Sequence, residues 1–297
     1  MVHPVAQGFP WQRLAHRPSL PITRAHDLLV RTILRIEDWG IVIPAGSRLL
    51  QAQIALRTCA ERNAVPEDAR ERECVAEGMR TAVEWYLATH GYEGEPTPAM
   101  REKLAQALGG AELSTEESQH FARDIQFELY VHGTLSAGGL GPWFDERPDL
   151  RIKYGADPVG VAVKRIWSLD QAHKQLSRAA TQIEESGLRG IIATNAQEYL
   201  DILPATTNIE VRGTAFSEQV ARLHGQFPYL AGKPHVLGLL ICGTVAEWAA
   251  DGEDGPVLRM ATYNQLFVLE EESAEARGEA FGAQLGDNLR TWLSNIL

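Results

Sequence analysis

A chain of 297 residues, 44% of them hydrophobic, is long enough to bury a real core as one large domain or two modest ones. Its formal charge of −11 argues against general adhesion to nucleic acid, which rests on clustered lysine and arginine, but leaves room for a local basic groove. The odd number of cysteines, Cys59, Cys74 and Cys242, excludes a paired disulfide framework and a CxxC zinc site and fits a reducing cytoplasm. No basic-then-apolar leader opens the chain, and its longest apolar run, Val236 to Cys242, is too short to span a bilayer, so a cytoplasmic protein without membrane contact is expected.

Residues 1 to about 22 carry Pro4, Pro10, Pro18 and Pro21 with little periodicity and read as an extended arm over the body. From Arg24 onward, Leu28, Leu29, Thr32, Ile33 and Ile36 repeat at the spacing of one helical face, and the run stops near Trp39 and Gly40. Ile41 to Gly46 is a connector. Further helices are predicted over Ser47 to Arg62, from Pro66-Glu67-Asp68 to about His90, and over Pro98 to Leu108. Prolines and acids open them, and Gly91 and Gly109-Gly110 close them. Residues 1–112 therefore read as a helical N-terminal region. It holds no convergent set of acids, histidines or cysteines, so its expected role is docking, on a second subunit such as a helicase or on another copy of the chain.

The pattern then changes. Ser114 with Glu117 makes a capping box, and the helix that follows, to about Ser136, carries Phe121, Ile125, Leu129 and Glu128 on one face. Glu146 to Leu150 and Val159 to Arg165 read as two short strands joined by a tight turn, with Asp149 at the end of the first. Along the second, Val159, Val161 and Val163 point one way and Gly160, Ala162 and Lys164 the other. A lysine on a buried strand must be paired or lose its charge, and Asp149, folded back beside it, is the expected partner. A helix over Leu169 to Glu185 buries Leu176, Ala179, Ala180 and Ile183, and a strand follows at Gly190 to Thr194. The rest supplies a helix near Thr214 to Gln226, strands from His235 to about Thr244 and near Val257 to Leu269, and a closing helix from Ser273 to Ile296. Residues 113–297 thus form an α/β domain with a mixed sheet.

The order of Phe127-Glu128 on a helix, Pro148-Asp149, Val161-x-Val163-Lys164-Arg165, a helix with Gln182-Ile183, and Gly190-Ile191-Ile192 resembles the PD-(D/E)xK nuclease superfamily over about residues 114 to 200. That resemblance implies a restriction-endonuclease-like core and a magnesium- or manganese-dependent nuclease, an endonuclease or exonuclease hydrolysing DNA phosphodiester bonds. It implies that Asp149 and Glu128 bind the metal, that Lys164 positions the attacking water, and that Gln182 lines the site. It also suggests an effector subunit of a restriction or antiviral host-defence system. Magnesium prefers hard oxygen ligands and lowers the pKa of bound water, which suits such a donor set. Local positive charge for DNA is expected from Arg147, Arg151, Lys153, Lys164 and Arg165, with Lys174 and Arg178 on the next helix.

The sequence departs from the motif at Ala162, two residues before Lys164, where an acid belongs. Alanine cannot bind a metal. Natural loss of activity, migration of the acid to a position such as Asp157, or deliberate replacement of a glutamate by alanine would each explain it; the otherwise intact motif favours the last. The expectation is a DNA nuclease in a form inactivated at position 162. The alternative is a nuclease-like module that has lost catalysis and binds nucleic acid or a partner protein. A third reading is a structural subunit whose motif is fortuitous. Blander readings stand beside each residue. Lys164 could snorkel to solvent at its strand end, Glu128 could pair with His132 one helical turn on, and Gln182 could be a packing amide. His90, His120, His173 and His235 show no ligand spacing and read as structural, and Glu270-Glu271-Glu272 as a solvated helix start.

Overall fold

The computed structural model describes residues 19–91, 94–109, 120–154, 157–166, 169–195, 230, 232–252 and 255–268. The capping box at Ser114, the acidic run at 270–272 and the helices expected near 214–226 and 273–296 lie outside the described residues. In chain order the elements are β1 (Ser19–Pro21), α1 (Ile22–Asp38), α2 (Arg48–Arg62), α3 (Ala69–His90), α4 (Pro98–Leu108), α5 (His120–Ala137), β2 (Trp143–Phe144), β3 (Leu150–Tyr154), β4 (Asp157–Lys164), α6 (Leu169–Glu185), β5 (Gly190–Asn195), β6 (Val236–Gly252) and β7 (Gly255–Val268).

Side-chain caps fix where three of the helices begin. Ser47 Oγ accepts from Leu50 N at 3.4 Å, Asp68 Oδ1 accepts from Glu71 N at 2.9 Å, and Thr97 Oγ1 accepts from Met100 N at 3.3 Å. Each satisfies a donor that the first helical turn leaves orphaned. The helix therefore starts one residue after the cap, at Arg48, Ala69 and Pro98.

The described strands form one mixed sheet in the order β1-β7-β6-β5-β4-β3-β2. Its centre, β4-β5-β6, is parallel, and both flanks are antiparallel. One face, with Val159, Val161, Val163, Ile191, Ala193, Leu240 and Cys242, joins a single buried cluster with Leu28, Leu56, Met79, Trp85, Leu104 and Leu129 of α1 to α5. Ala162, Ile192, Leu239 and Ile241 alternate with those residues and are buried toward the other face. There α6 packs on β4 and β5 through the buried Leu176, Ala179, Ala180 and Ile183. The result is a mixed α/β fold with the sheet between two helical layers. Composition changes near residue 112, yet the buried cluster runs from the first four helices into α5 and the sheet without a break.

The structure alters two details of the expected strands. Asp149 precedes β3 instead of ending it: the ladder runs from Leu150↔Val161 to Tyr154↔Asp157, so Asp149 lies at the open end of the hairpin. The penultimate strand is also longer than expected. β6 passes the last rung with β5, Asn195↔Cys242, and continues with β7 to Gly252. On that extension β1 adds to the outer edge, with Leu20 opposite Leu258.

Helices α3 and α5 meet backbone to backbone. A Cβ on Gly133 would stand 2.1 Å from Leu87 O, and one on Gly91 would stand 2.3 Å from Gly133 O, so only glycine permits this approach. Gly133→Ala should lower stability by about 3 kcal/mol, since backbone and not a flexible side chain must give way. Urea unfolding of the two proteins measures the difference.

Two histidines are held neutral in this helical layer. His90 stacks on Tyr86 with ring centroids 4.1 Å apart, and His132 on Phe144 at 4.6 Å. Burial, the first cause in each case, lowers both from 6.5 to about 4. Between those values the unfolded chain binds more protons than the folded one, so stability present above pH 6.5 drains away as pH falls toward 4. Unfolding midpoints across that window should show the slope. His132→Phe, which keeps the ring stack, should flatten part of it.

Candidate active site

The site begins where the β3-β4 ladder stops. The ladder ends at Leu150↔Val161, so the amide of Val163, two residues on, finds no strand carbonyl opposite it. Val163 N–H donates instead to Asp149 Oδ2 at 2.7 Å, so the carboxylate stands in for the next rung. The same oxygen accepts from Lys164 Nζ at 2.9 Å, and that ammonium also donates to Val163 O at 3.0 Å. Both side chains are mostly shielded, 14% exposed for Asp149 and 18% for Lys164. Pro148 itself lies over β4, its Cγ 2.7 Å from where a Gly160 Cβ would be, so that glycine makes room for it.

Alternation along β4 puts Ala162 and Lys164 on one face, and Asp149, just beyond the last rung, reaches Lys164 there. Ala162 is fully buried. Glu128, on α5, forms an ion pair with Lys103 of α4. Burial pushes the Glu128 carboxyl above its ordinary value, the Lys103 ammonium pulls it back, Asp149 raises it further, and Lys164 opposes. Four groups, from α4, α5, the residue before β3 and the end of β4, thus share one electrostatic neighbourhood. The expected partner for Glu128, His132, stacks on Phe144 instead.

The other sequence candidates lie elsewhere. Ile183 Cδ1 is 3.2 Å from the Cβ position of Gly190, which pairs with Gly160. That puts the Gln182 turn of α6 about 13 Å down the strand from Lys164. There the Gln182 Oε1 is buried without a hydrogen-bond partner among the described residues. Lys153 pairs with Pro158 and Asp157 with Tyr154, both at the turn end of the hairpin. Arg178 and Lys174 are exposed on α6. Arg147 pairs with Glu185 at 2.8 Å, and Arg151 pairs with Asp145. Of the expected phosphate contacts other than Lys164, only Arg165 adjoins the site.

What sequence reasoning missed is what the helical layer contributes. Lys103 reaches Glu128 from α4, and Arg48 at the start of α2 pairs with Glu77 of α3. No spacing within the sequence announces these contacts, because each joins separate helices.

Among the described residues no group of three His, Cys, Asp or Glu side chains is placed to hold a metal. Asp149 and Glu128 each face a lysine, so the donor set with alanine at 162 does not fit magnesium, which demands near-octahedral oxygen ligands. What the arrangement offers as it stands is a shielded pair of ammonium groups, each held by a carboxylate. Comparison with protein-family models, with curated proteins and with solved structures gives no match to this chain.

Lys103→Met leaves Glu128 buried beside Asp149 without its cation and should cost about 3 kcal/mol at pH 8. A carboxyl whose folded pKa is raised destabilises most when charged, so the loss should vanish as pH falls through that pKa toward the ordinary 4.5. Unfolding of both proteins at pH 8 and pH 4.5 reads the difference.

Proposed function

We propose that the chain is a nuclease-like module of the PD-(D/E)xK kind acting on DNA. With an acid at position 162 it is a metal-dependent deoxyribonuclease, and with Ala162, as here, it binds the phosphodiester backbone without cutting it. The observation that carries this reading is the Asp149–Lys164 pair at the open end of the β3-β4 hairpin, with Asp149 Oδ2 2.9 Å from Lys164 Nζ and Ala162 on the same face of β4 as Lys164. Glu128 from the preceding helix lies within electrostatic reach of both. The element order of helix, antiparallel hairpin, helix and parallel strand supports the same reading.

Position 162 is the missing member. Residues two apart on a strand share a face, so a glutamate there would stand beside Lys164 and near the carboxylate that holds it. It would also compete with Asp149 for the Lys164 ammonium and free one carboxylate oxygen for a hard cation. Until then Lys164 is neutralised by Asp149, and its contribution to phosphate binding is local.

The test is plasmid and linear DNA cleavage with magnesium or manganese. The chain as it stands should not cut. Ala162→Glu should raise the rate by about a thousandfold or more, and Lys164→Ala in that background should remove the gain. If neither Ala162→Glu nor Ala162→Asp cuts DNA or RNA while the unaltered chain binds it, the catalytic half of the reading is wrong and a binding module remains. Cutting by the unaltered chain would place the acid elsewhere.

A further inference from the structure

We propose that Trp143 is a base-stacking platform beside the Asp149–Lys164 pair, which makes an unpaired strand the preferred ligand of that site; this rests on the nucleic-acid reading above. Two rungs of the sheet place the tryptophan. Trp143 faces Arg151 across β2 and β3, and Arg151 faces Gly160 across β3 and β4. Paired residues of antiparallel strands share a face, and Gly160, Ala162 and Lys164 share one along β4. Trp143 and Lys164 therefore stand on the same face of the sheet. The other face is the one that packs Phe144, Leu150, Ile152 and Val161 with the core.

The tryptophan is also close to the pair. Asp145 N–H donates to Asp149 O at 3.2 Å, so β2 and the residue before β3 stay side by side beyond the last rung. Arg151 is two residues from Asp149, and β2 is one strand spacing from β3, which puts the Cα atoms of Trp143 and Asp149 about 8 Å apart. The inner side of β2 is fixed. Phe144 stacks on His132 at 4.6 Å, and Lys103 Nζ lies 5.4 Å from the Phe144 ring centroid. On the outer side Trp143 is 37% exposed at the edge of the sheet, while α6 packs on β4, β5 and β6.

One exposed apolar residue is ordinary on a protein surface, and its neighbours select what it binds. Arg151 is held by Asp145 and Lys164 by Asp149, so this face carries little net charge in a chain of formal charge −11. Duplex binding rests on neutralising phosphates and finds little here. An unpaired base needs no such charge, because stacking on an aromatic ring contributes by itself and tolerates any sequence. The Lys164 ammonium has three donors and gives two of them to Asp149 and Val163 O, which leaves one for a phosphate of the same strand.

The experiment uses the full chain with Ala162 in EDTA, so that binding is read apart from cleavage. A labelled thymine-only oligonucleotide and a labelled duplex of equal length are followed by fluorescence anisotropy over a salt series. The single strand should bind more tightly. Trp143→Ala should weaken it about tenfold, the scale of one stacked base, and leave its salt slope and the duplex affinity unchanged. Trp143→Tyr, which keeps an aromatic face, should retain most of the affinity. Phe121→Ala, at an exposed aromatic of α5, should change nothing, and thermal unfolding establishes that each variant is folded. Unchanged single-strand affinity in Trp143→Ala overturns the proposal, even where Ala162→Glu cuts DNA, and so does an equal loss for strand and duplex. A loss confined to the single strand upholds it; if Ala162→Glu then fails to cut, only the catalytic reading falls. Binding of neither form by the unaltered chain overturns the proposal and the nucleic-acid reading together. A Trp143→Ala variant that changes the mass of the chain in light scattering, and not its DNA affinity, overturns the proposal and assigns the face to a second copy.

Discussion

The carboxylate of Asp149 joins the end of the sheet to the candidate chemistry. Past the end of the β3-β4 ladder Val163 N–H needs an acceptor, and an unsatisfied amide at a shielded strand end would cost about 1 to 3 kcal/mol. Asp149 fills that vacancy with one oxygen and holds Lys164 with the same oxygen. The lysine is therefore positioned by backbone geometry and not by rotamer preference alone. What lies near it inherits that precision: the face of β4 that it shares with Ala162, and the field felt by Glu128.

Local order was largely readable from the sequence. The predicted spans Pro98 to Leu108 and Leu169 to Glu185 match α4 and α6, because proline, apolar spacing and flanking glycines mark them. Period-two alternation also gave the common face of Ala162 and Lys164, and the need to pair a shielded lysine gave Asp149. The limit came wherever separate elements meet. Periodicity shows which face of a helix is buried but not which end of a strand it covers, so Gln182 was joined to a site about 13 Å away. Lys103 and Arg48 carry no local signal, since each pairs with an acid on another helix. The extra length of β6 escaped because Gly243, Glu247 and Asp251 interrupt its apolar run.

The helical layer is more than a neighbour of the sheet. It shares the sheet's core and supplies Lys103 to Glu128. The contact of Gly91 with Gly133 makes that arrangement stiff, because backbone packed on backbone has no rotamer to adjust. Arg80 and Glu84 on α3 are thereby held at a fixed height relative to Arg123 and Glu128 on α5. Charged groups in such a frame need little reorganisation to meet a ligand, which is where preorganised electrostatics has its advantage.

The short strand β1 sets the order in which such a molecule can be finished. It comes from the start of the described chain and pairs with β7 from the end of it, on the outer edge of the long β6-β7 hairpin. Helices α1 to α5 can gather early from contacts that are local in sequence, whereas this rung must wait until nearly all the described chain has left the ribosome. In the interval the β7 edge offers unpaired backbone groups to any other strand that passes. A three-residue strand followed at once by α1 thus works as a latch: when it closes, the exposed edge is covered and the first helix is tied to the last strand.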